Sequence, residues 1–276
     1  LGLGENQLAK KALKMGLKQH PSSHELLLLQ SEVFILDEKY DAAIKLLDYI
    51  EKLNPLDEEI WLQKANIASK NDDHKSSIKF LNEALKLSED PLEIWNLLGM
   101  EHLLAEEFEE ATYFFINCIK DNPKDYSALY NLLYSYDNLN KIEESILVLN
   151  EVLELDPYSE VAWHQLGLVL LKKEYQKEAL SAFDFAIISD DTFTGAYIEK
   201  GKLLESMGRI NEAIDNYEIA LNTNDPSAFV FQCIGRCHET LGNNTLAIKF
   251  YLKAIHLEPC NEKSWITLIE YCITLG

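Results

Sequence analysis

Cys233 and Cys237 lie four residues apart with His238 beside the second, a spacing that on a helix would turn two soft ligands and an imidazole toward one side. Zinc takes about four ligands, and no convincing fourth stands near them, so small side chains packing against a helix face are the expected reading. The other cysteines, Cys118, Cys260 and Cys272, leave an odd total of five, scattered along the chain. That pattern does not suggest a disulfide-stapled secreted scaffold and favours a reducing, cytoplasmic compartment. With 46 acidic residues a catalytic carboxylate pair could be drawn almost anywhere; a charge-rich outer helix face is the ordinary meaning of such abundance. The sequence holds no Gly-rich phosphate loop ending in Lys and Ser or Thr, no dinucleotide fingerprint and no helix with paired zinc-binding histidines. The expectation is a protein that is not an enzyme, with no metal and no cofactor.

Bulk charge narrows the partners. Against those 46 acids stand 25 basic residues, a formal charge of -21, which repels phosphate backbones and anionic headgroups over roughly 8 Å in physiological salt. Nucleic acid and membrane surfaces are therefore not expected, and membrane insertion is excluded by the brevity of the apolar runs, such as Leu26–Leu29.

The elements that would position any binding residue are written in a fixed period. Trp61, Trp95, Trp163 and Trp265 fall on one 34-residue lattice, whose other points are Leu27, Leu129, Tyr197 and Phe231. Four residues on, the series is mostly small: Ser31, Ala65, Gly99, Leu133, Gly167, Gly201, Gly235 and Ile269. Sixteen on it is uniformly small, from Ala43 and Ser77 to Ala247, and twenty on it is large, from Leu47 and Leu81 to Tyr251. Small positions let two helix backbones approach and large ones fill the space between them, as a close-packed helical hairpin requires.

The boundaries repeat too. Pro21, Pro55, Pro123, Pro157 and Pro259 share one phase, where the missing amide ends a helix. Two residues later Ser23, Asp57, Asp125, Ser159, Ser227 and Asn261 can cap the next one. Three boundaries instead carry Glu89, Asp191 and Asp225, with Pro91 and Pro226 displaced.

The series Trp163, Leu166, Gly167, Ala179, Phe183, Ala186, repeated in phase, resembles the tetratricopeptide repeat (TPR). The resemblance implies an all-α, right-handed superhelical solenoid of antiparallel helix pairs. It reads 1–276 as one array: 1–23 the second helix of an incomplete repeat, then seven full repeats at 24–57, 58–91, 92–125, 126–159, 160–193, 194–227 and 228–261, then 262–276 as a further first helix. His102 and His238 occupy a scaffold position that the family fills with tyrosine, Cys118 one usually taken by alanine and Cys272 one taken by a large residue; all four are expected to pack. Leu133 stands where a small residue is usual, so its two helices are expected to sit slightly wider. Leu1–Gly4 match the end of a first helix and its turn, and Gly276 the turn phase of Gly208 and Gly242. A piece of a longer array is the corresponding expectation, with self-association through its half-units as an option.

In this family the first helices line a concave groove that holds a protein or peptide. Carried onto the central repeats, its positions give Asn96, Met100, Tyr130, Asn131, Tyr134, Asn138, His164, Gln165 and Leu168 as expected partner-binding residues, and the tyrosine spacing adds Tyr126. The stretch is nearly neutral within a very acidic chain, and Tyr126, Tyr130 and Tyr134 recur every four residues as a stripe. Tyr130 and Tyr134 are the expected anchors, with Asn131, His164 and Gln165 supplying hydrogen bonds. Repeats six and seven place Glu199, Lys202, Glu205, Arg236 and Glu239 on the same face, a mixed-charge surface. Leu62, Leu97, Ser127 and Asn131 stand where the family's carboxylate-gripping members carry other residues, so that mode is not expected. A protein-interaction scaffold or adaptor is the leading expectation; a docking or regulatory segment of a larger enzyme, or a self-assembling spacer, are the alternatives. Trp163, taken as buried, is expected to be worth about 3–5 kcal/mol against alanine.

Overall fold

In a computed structural model, residues 2–223 and 227–276 are described, with side chains from Gln7 to Asn222 and from Ser227 onward. Leu1, Asp225 and Pro226, named above, lie outside them. Sixteen α-helices and no strand occur among the described residues: α1 (Gly2–Gln19), α2 (His24–Leu36), α3 (Tyr40–Leu53), α4 (Glu58–Lys70), α5 (His74–Leu87), α6 (Leu92–Leu104), α7 (Phe108–Asp121), α8 (Tyr126–Asn138), α9 (Ile142–Leu155), α10 (Glu160–Lys172), α11 (Gln176–Ser189), α12 (Thr194–Ser206), α13 (Ile210–Thr223), α14 (Ala228–Thr240), α15 (Asn244–Leu257) and α16 (Glu262–Thr274). From His24 to Glu262 every first helix, and from Tyr40 to Asn244 every second helix, begins 34 residues after the one before. The chain forms two compact units, Leu1–Asn140 and Lys141–Gly276.

Each unit is a stack of helix pairs. In the first, α2 packs on α3, α4 on α5 and α6 on α7, with α8 against α6 and α7; in the second, α9 packs on α10, then come α10 with α11, α12 with α13, α14 with α15, and α16 against α15. First helices also touch one another, α2 with α4 and α6 with α8, then α10 with α12 and α12 with α14. Each unit therefore presents a row of first helices.

The small and large positions meet as expected. Leu47, Leu81, Phe115, Leu149, Phe183, Tyr217 and Tyr251 are all within 2% of full burial. A β-carbon added to Gly99, Gly167, Gly201 or Gly235 would come 2.4–2.7 Å from the ring of Phe115, Phe183, Tyr217 or Tyr251 respectively. Where the chain has Ser31 or Ala65 in place of glycine, the residue sixteen further on is Leu47 or Leu81 instead of an aromatic ring. Ring size and glycine thus vary together.

The tryptophan lattice is shallower than its periodicity implies. Leu27, Leu129 and Tyr197 are buried, but Trp61, Trp95, Trp163 and Phe231 are half-buried and Trp265 is 44% exposed. The deep position is one residue earlier, where Ile60, Ile94, Ala128, Ala162, Ala196, Val230 and Ser264 are at most 2% exposed. The indoles have another job: Trp163 Nε1 and Trp265 Nε1 each donate to a proline carbonyl six residues back, Pro157 and Pro259, at 2.9 Å, pinning the loop between repeats. Trp163 also stacks on Phe185 with centroids 4.7 Å apart.

Capping is partly as read from the sequence. Ser23, Asp57, Asp125 and Ser159 accept from amides of the following first turn. Ser227 and Asn261 occupy the cap position without a side-chain bond to it; the Asn261 amide instead donates to Glu258 at 2.8 Å. Asp73 caps α5 by accepting from Ser76 N at 3.2 Å. Helix α1 already runs from Gly2, so Gly2–Gly4 lie in its first turn and do not form a turn before it.

After each first helix the chain turns through the left-handed region. Glu38, Asp72, Glu106, Asn140, Glu174, Gly208, Gly242 and Gly276 all have φ between 55° and 93°, again 34 residues apart. The bond that closes the turn recurs: Lys39 N to Phe34 O, Tyr175 N to Leu170 O and Asn243 N to His238 O, at 2.8–3.0 Å. These are helix-terminating bonds of the glycine-favouring kind. Five of the eight positions carry a β-carbon that disfavours this backbone. Glu174→Gly is expected to stabilise unit 2 by about 1 kcal/mol, read as a higher urea midpoint with unchanged denaturant slope.

Candidate protein-binding face

The expected partner-binding residues divide between the units. Asn96, Met100, Tyr126, Tyr130, Asn131, Tyr134 and Asn138 belong to unit 1, on α6 and α8; His164, Gln165 and Leu168 belong to unit 2, on α10.

In unit 1 the adjoining helices α6 and α8 expose an apolar and aromatic surface. Leu97 is 40% exposed, Met100 39%, Leu104 51%, Tyr130 44% and Tyr134 55%. Helical spacing explains the row: Leu97, Met100 and Leu104 are three and four residues apart, as are Tyr130 and Tyr134, opposite the buried Leu98, Leu129 and Leu133. Asn131 Nδ2 donates to Met100 Sδ at 3.1 Å across the two helices, and the Tyr134 ring lies edge-on to Phe108 with centroids 6.2 Å apart. Tyr126 is half-buried at the start of α8. Two of the amides are partly engaged: Asn96 Nδ2 donates to Asp125 Oδ2 at 3.3 Å and Asn138 Nδ2 to Tyr134 O at 2.9 Å.

In unit 2 the residues are less open. Leu168 packs against the cluster of Ala179, Phe183 and Leu203, and Gln165 is half-buried. Both ring nitrogens of His164 are shielded from solvent and without a hydrogen-bond partner. Its ring stands edge-on to Phe193 at 5.3 Å and tilted on Phe183 at 5.9 Å. A partner could reach this imidazole only if the rings moved aside. Desolvation holds its pKa below the ordinary value, Lys202 pushes the same way, and Glu199 opposes them. Because the folded value is depressed, the unfolded chain binds the proton first as pH falls below about 6.5, and unit 2 should lose stability on acidification through that window. His164→Leu is expected to raise stability by about 1 kcal/mol near neutral pH by removing unpartnered nitrogens. It should also make the fall in melting temperature between about pH 6.5 and 5 shallower; an unchanged pH profile would show that the imidazole is hydrated. His238, also depressed by burial, accounts for a remaining slope.

The mixed-charge residues of α12 and α14 are organised. Arg236 Nε and Nη2 donate to the two Glu205 carboxylate oxygens at 2.6 and 3.0 Å, Tyr217 Oη donates to Glu205 at 3.2 Å and Tyr251 Oη to Glu239 at 2.7 Å. The same glutamates thus orient core tyrosines from their wetter ends.

Residues that could have suggested chemistry are in the packing. Cys233 and Cys237 are fully buried among Leu204, Tyr217 and Ile234, burial pushes the Cys237 thiol up to about 12, and the His238 ring stacks on Phe250 at 5.5 Å. Cys118 is fully buried, its thiol likewise raised to about 12, and His102 stacks on Phe114 at 5.4 Å. Cys272 departs from expectation: it is exposed, because α16 packs on α15 by one side and Cys272 lies with Ile269 and Ile273 on the open side. Among the described residues no cluster of three or more His, Cys, Asp or Glu is arranged for a metal ion, and no helix is long and apolar enough to cross a membrane.

Models of the tetratricopeptide repeat match residues 58–91, 126–159, 194–224 and 234–259, and a second model of the same repeat matches 1–58. The chain belongs to the tetratricopeptide repeat family. It is similar to anaphase-promoting complex subunit 3 of Schizosaccharomyces pombe, 25% identical over 205 residues that make up 74% of this chain and 31% of that protein. It is similar also to the BBSome complex member BBS4 of Bos taurus, 22% identical over 260 residues, 93% of this chain and 50% of the other. The TPR chain thus spans about a third to a half of the length of these relatives. Among solved structures, the C-terminal part of a TPR repeat-containing protein from Cytophaga hutchinsonii superposes with a TM-score of 0.65 at 11% identity, over 87% of this chain and 99% of that one, a likeness of fold.

Proposed function

We propose that this TPR array is a protein-interaction scaffold whose first helices hold a segment of a partner protein. The observation that carries the reading is the row Leu97, Met100, Leu104, Tyr130 and Tyr134, five large side chains each at least 39% exposed on two adjoining first helices in a chain of formal charge -21. Large apolar side chains left exposed together on one face are characteristic of interaction surfaces, and tyrosine contributes area and a polar tip at little entropic cost. A helix or extended segment with apolar residues on one side matches this row. In unit 1 Asn131 is the proposed hydrogen-bonding group beside this row; within unit 2, taken by itself, Gln165 is the proposed hydrogen-bonding group and Leu168 a minor apolar contact, because it packs against the Ala179, Phe183 and Leu203 cluster. Two relatives are by name parts of multi-subunit complexes, which supports a scaffold role.

A hydrogen-exchange footprint tests this. With a partner bound, protection is expected to rise on α6 and α8 and to stay unchanged on the second helices α5 and α7. Protection confined to the second helices would overturn the assignment of the face.

A further inference from the structure

Beside the apolar row, and sharing Leu97 with it, unit 1 contains a groove of about 390 Å³ across α2, α4 and α6. Its apolar wall is Ile35, Leu62, Ala65, Leu81 and Leu97; its charged residues are Glu32, Glu59, Glu93 and Glu101, with neither lysine nor arginine among the lining. Glu101 is already engaged, lying 2.9 Å from His74 Nδ1. The other three are exposed and have no cationic partner among the described residues. Glu59 is held in place: the Gln63 amide, itself 6% exposed and fixed by the Ser31 hydroxyl, donates to Glu59 Oε1 at 2.9 Å. Desolvation in the groove raises the Glu59 carboxyl above the usual range, the Gln63 amide pulls it back, and Asp57, Glu32 and Glu58 add to the rise. Glu32 and Glu59 thus stand as like charges beside the apolar wall, and Glu93 adds a third carboxylate to the lining.

Resting on the scaffold reading above, we propose that this groove takes a lysine- or arginine-bearing stretch of the partner segment, its alkyl stem on Leu62 and Leu97 and its cationic head among Glu32, Glu59 and Glu93. The chemistry fits on both counts. Long basic side chains bury their methylenes on apolar surface while keeping the charge at a polar rim, and a cation placed among three carboxylates removes their mutual repulsion. The shared Leu97 makes the two surfaces continuous, so the partner is a peptide with apolar anchors followed by basic residues. Charge complementarity of this sort selects the partner and speeds encounter.

Two dye-labelled synthetic peptides of equal length, one alternating leucine with lysine and the other leucine with glutamine, are titrated with the full chain by fluorescence anisotropy at physiological salt. The leucine–lysine peptide is expected to bind at least about tenfold more tightly, the scale of a few partly desolvated charge contacts. The Glu32→Gln/Glu59→Gln/Glu93→Gln variant is expected to lose that preference, with circular dichroism verifying its helix content. A control variant neutralising as much charge on the second helices, Asp41→Asn/Glu151→Gln/Glu154→Gln, is expected to keep it. Equal losses in both variants would reduce the effect to general attraction toward an acidic chain and overturn the proposal, as would a retained preference in the groove variant or no binding of the lysine peptide. Failure of the underlying reading looks different: Tyr130→Ala/Tyr134→Ala would then bind the leucine–glutamine peptide as well as the unsubstituted chain does.

Discussion

Phe183→Ala is expected to cost unit 2 about 3–5 kcal/mol, the range for emptying a fully packed aromatic site. The side chain is completely buried, it fills the space that Gly167 leaves open, and the cluster around it includes Ala179 and Leu203. Trp163→Ala should cost less, about 1–2 kcal/mol, because the indole is half-buried and loses one ring contact and one hydrogen bond. The order of the two is the informative result; a larger loss at Trp163 would mean that the deep layer has been misplaced. Gly167→Ala examines the same contact from the other side. Its new methyl would sit 2.4 Å from Phe183 Cε1, an overpacking worth about 1–3 kcal/mol. The chain already contains the remedy in unit 1, where Ala65 and Leu81 share a core cluster. Gly167→Ala/Phe183→Leu should therefore lose less than the sum of its single substitutions in urea denaturation. Strict additivity would contradict the pairing of glycine with ring size. Hydrogen exchange should show the weakening centred on α10 and α11, since a repeat array distributes stability among neighbouring interfaces.

Helix phase was legible from the sequence because proline, small and large residues recur at a constant interval, and each marks a physical event: an end, an approach or a filled space. Other features left no such trace. Trp61, Trp95 and Trp163 share a phase, and regularity alone does not separate a buried ring from one lying over a loop; the deciding bond, indole to proline carbonyl, spans six residues. The left-handed turn is announced by Gly208 and Gly242 but concealed at Glu38, Asp72, Glu106, Asn140 and Glu174. Lys64 sits where Leu98, Leu132 and Leu166 sit in later repeats and is only 8% exposed, its ammonium 2.7 Å from both Asp48 and Glu51. That burial depends on two carboxylates from another helix. His164 and Leu168 carried the phase of groove residues, yet local aromatic and aliphatic neighbours enclose them, which the period does not encode. The groove at Glu32, Glu59 and Glu93 was hidden for a related reason: the near-neutral reading covered α6, α8 and α10, whereas these carboxylates meet between α2, α4 and α6.

The scaffold reading places the binding energy on the exposed row of unit 1, and Tyr130 and Tyr134 offer the largest single test of it. Neither ring is needed for the core: Tyr130 is 44% and Tyr134 55% exposed, and their buried neighbours on α8 are Leu129, Leu132 and Leu133. Removing both should leave the helices folded while deleting two aromatic contacts of the kind that dominate interfaces. The direct measurement is titration calorimetry of Tyr130→Ala/Tyr134→Ala against a partner protein bound by the unsubstituted chain, with circular dichroism recorded on the same samples. Affinity is expected to fall by more than about 2 kcal/mol, roughly thirtyfold, with helix content unchanged. Full affinity in a folded double variant would contradict the account and move the binding surface off the first helices of unit 1.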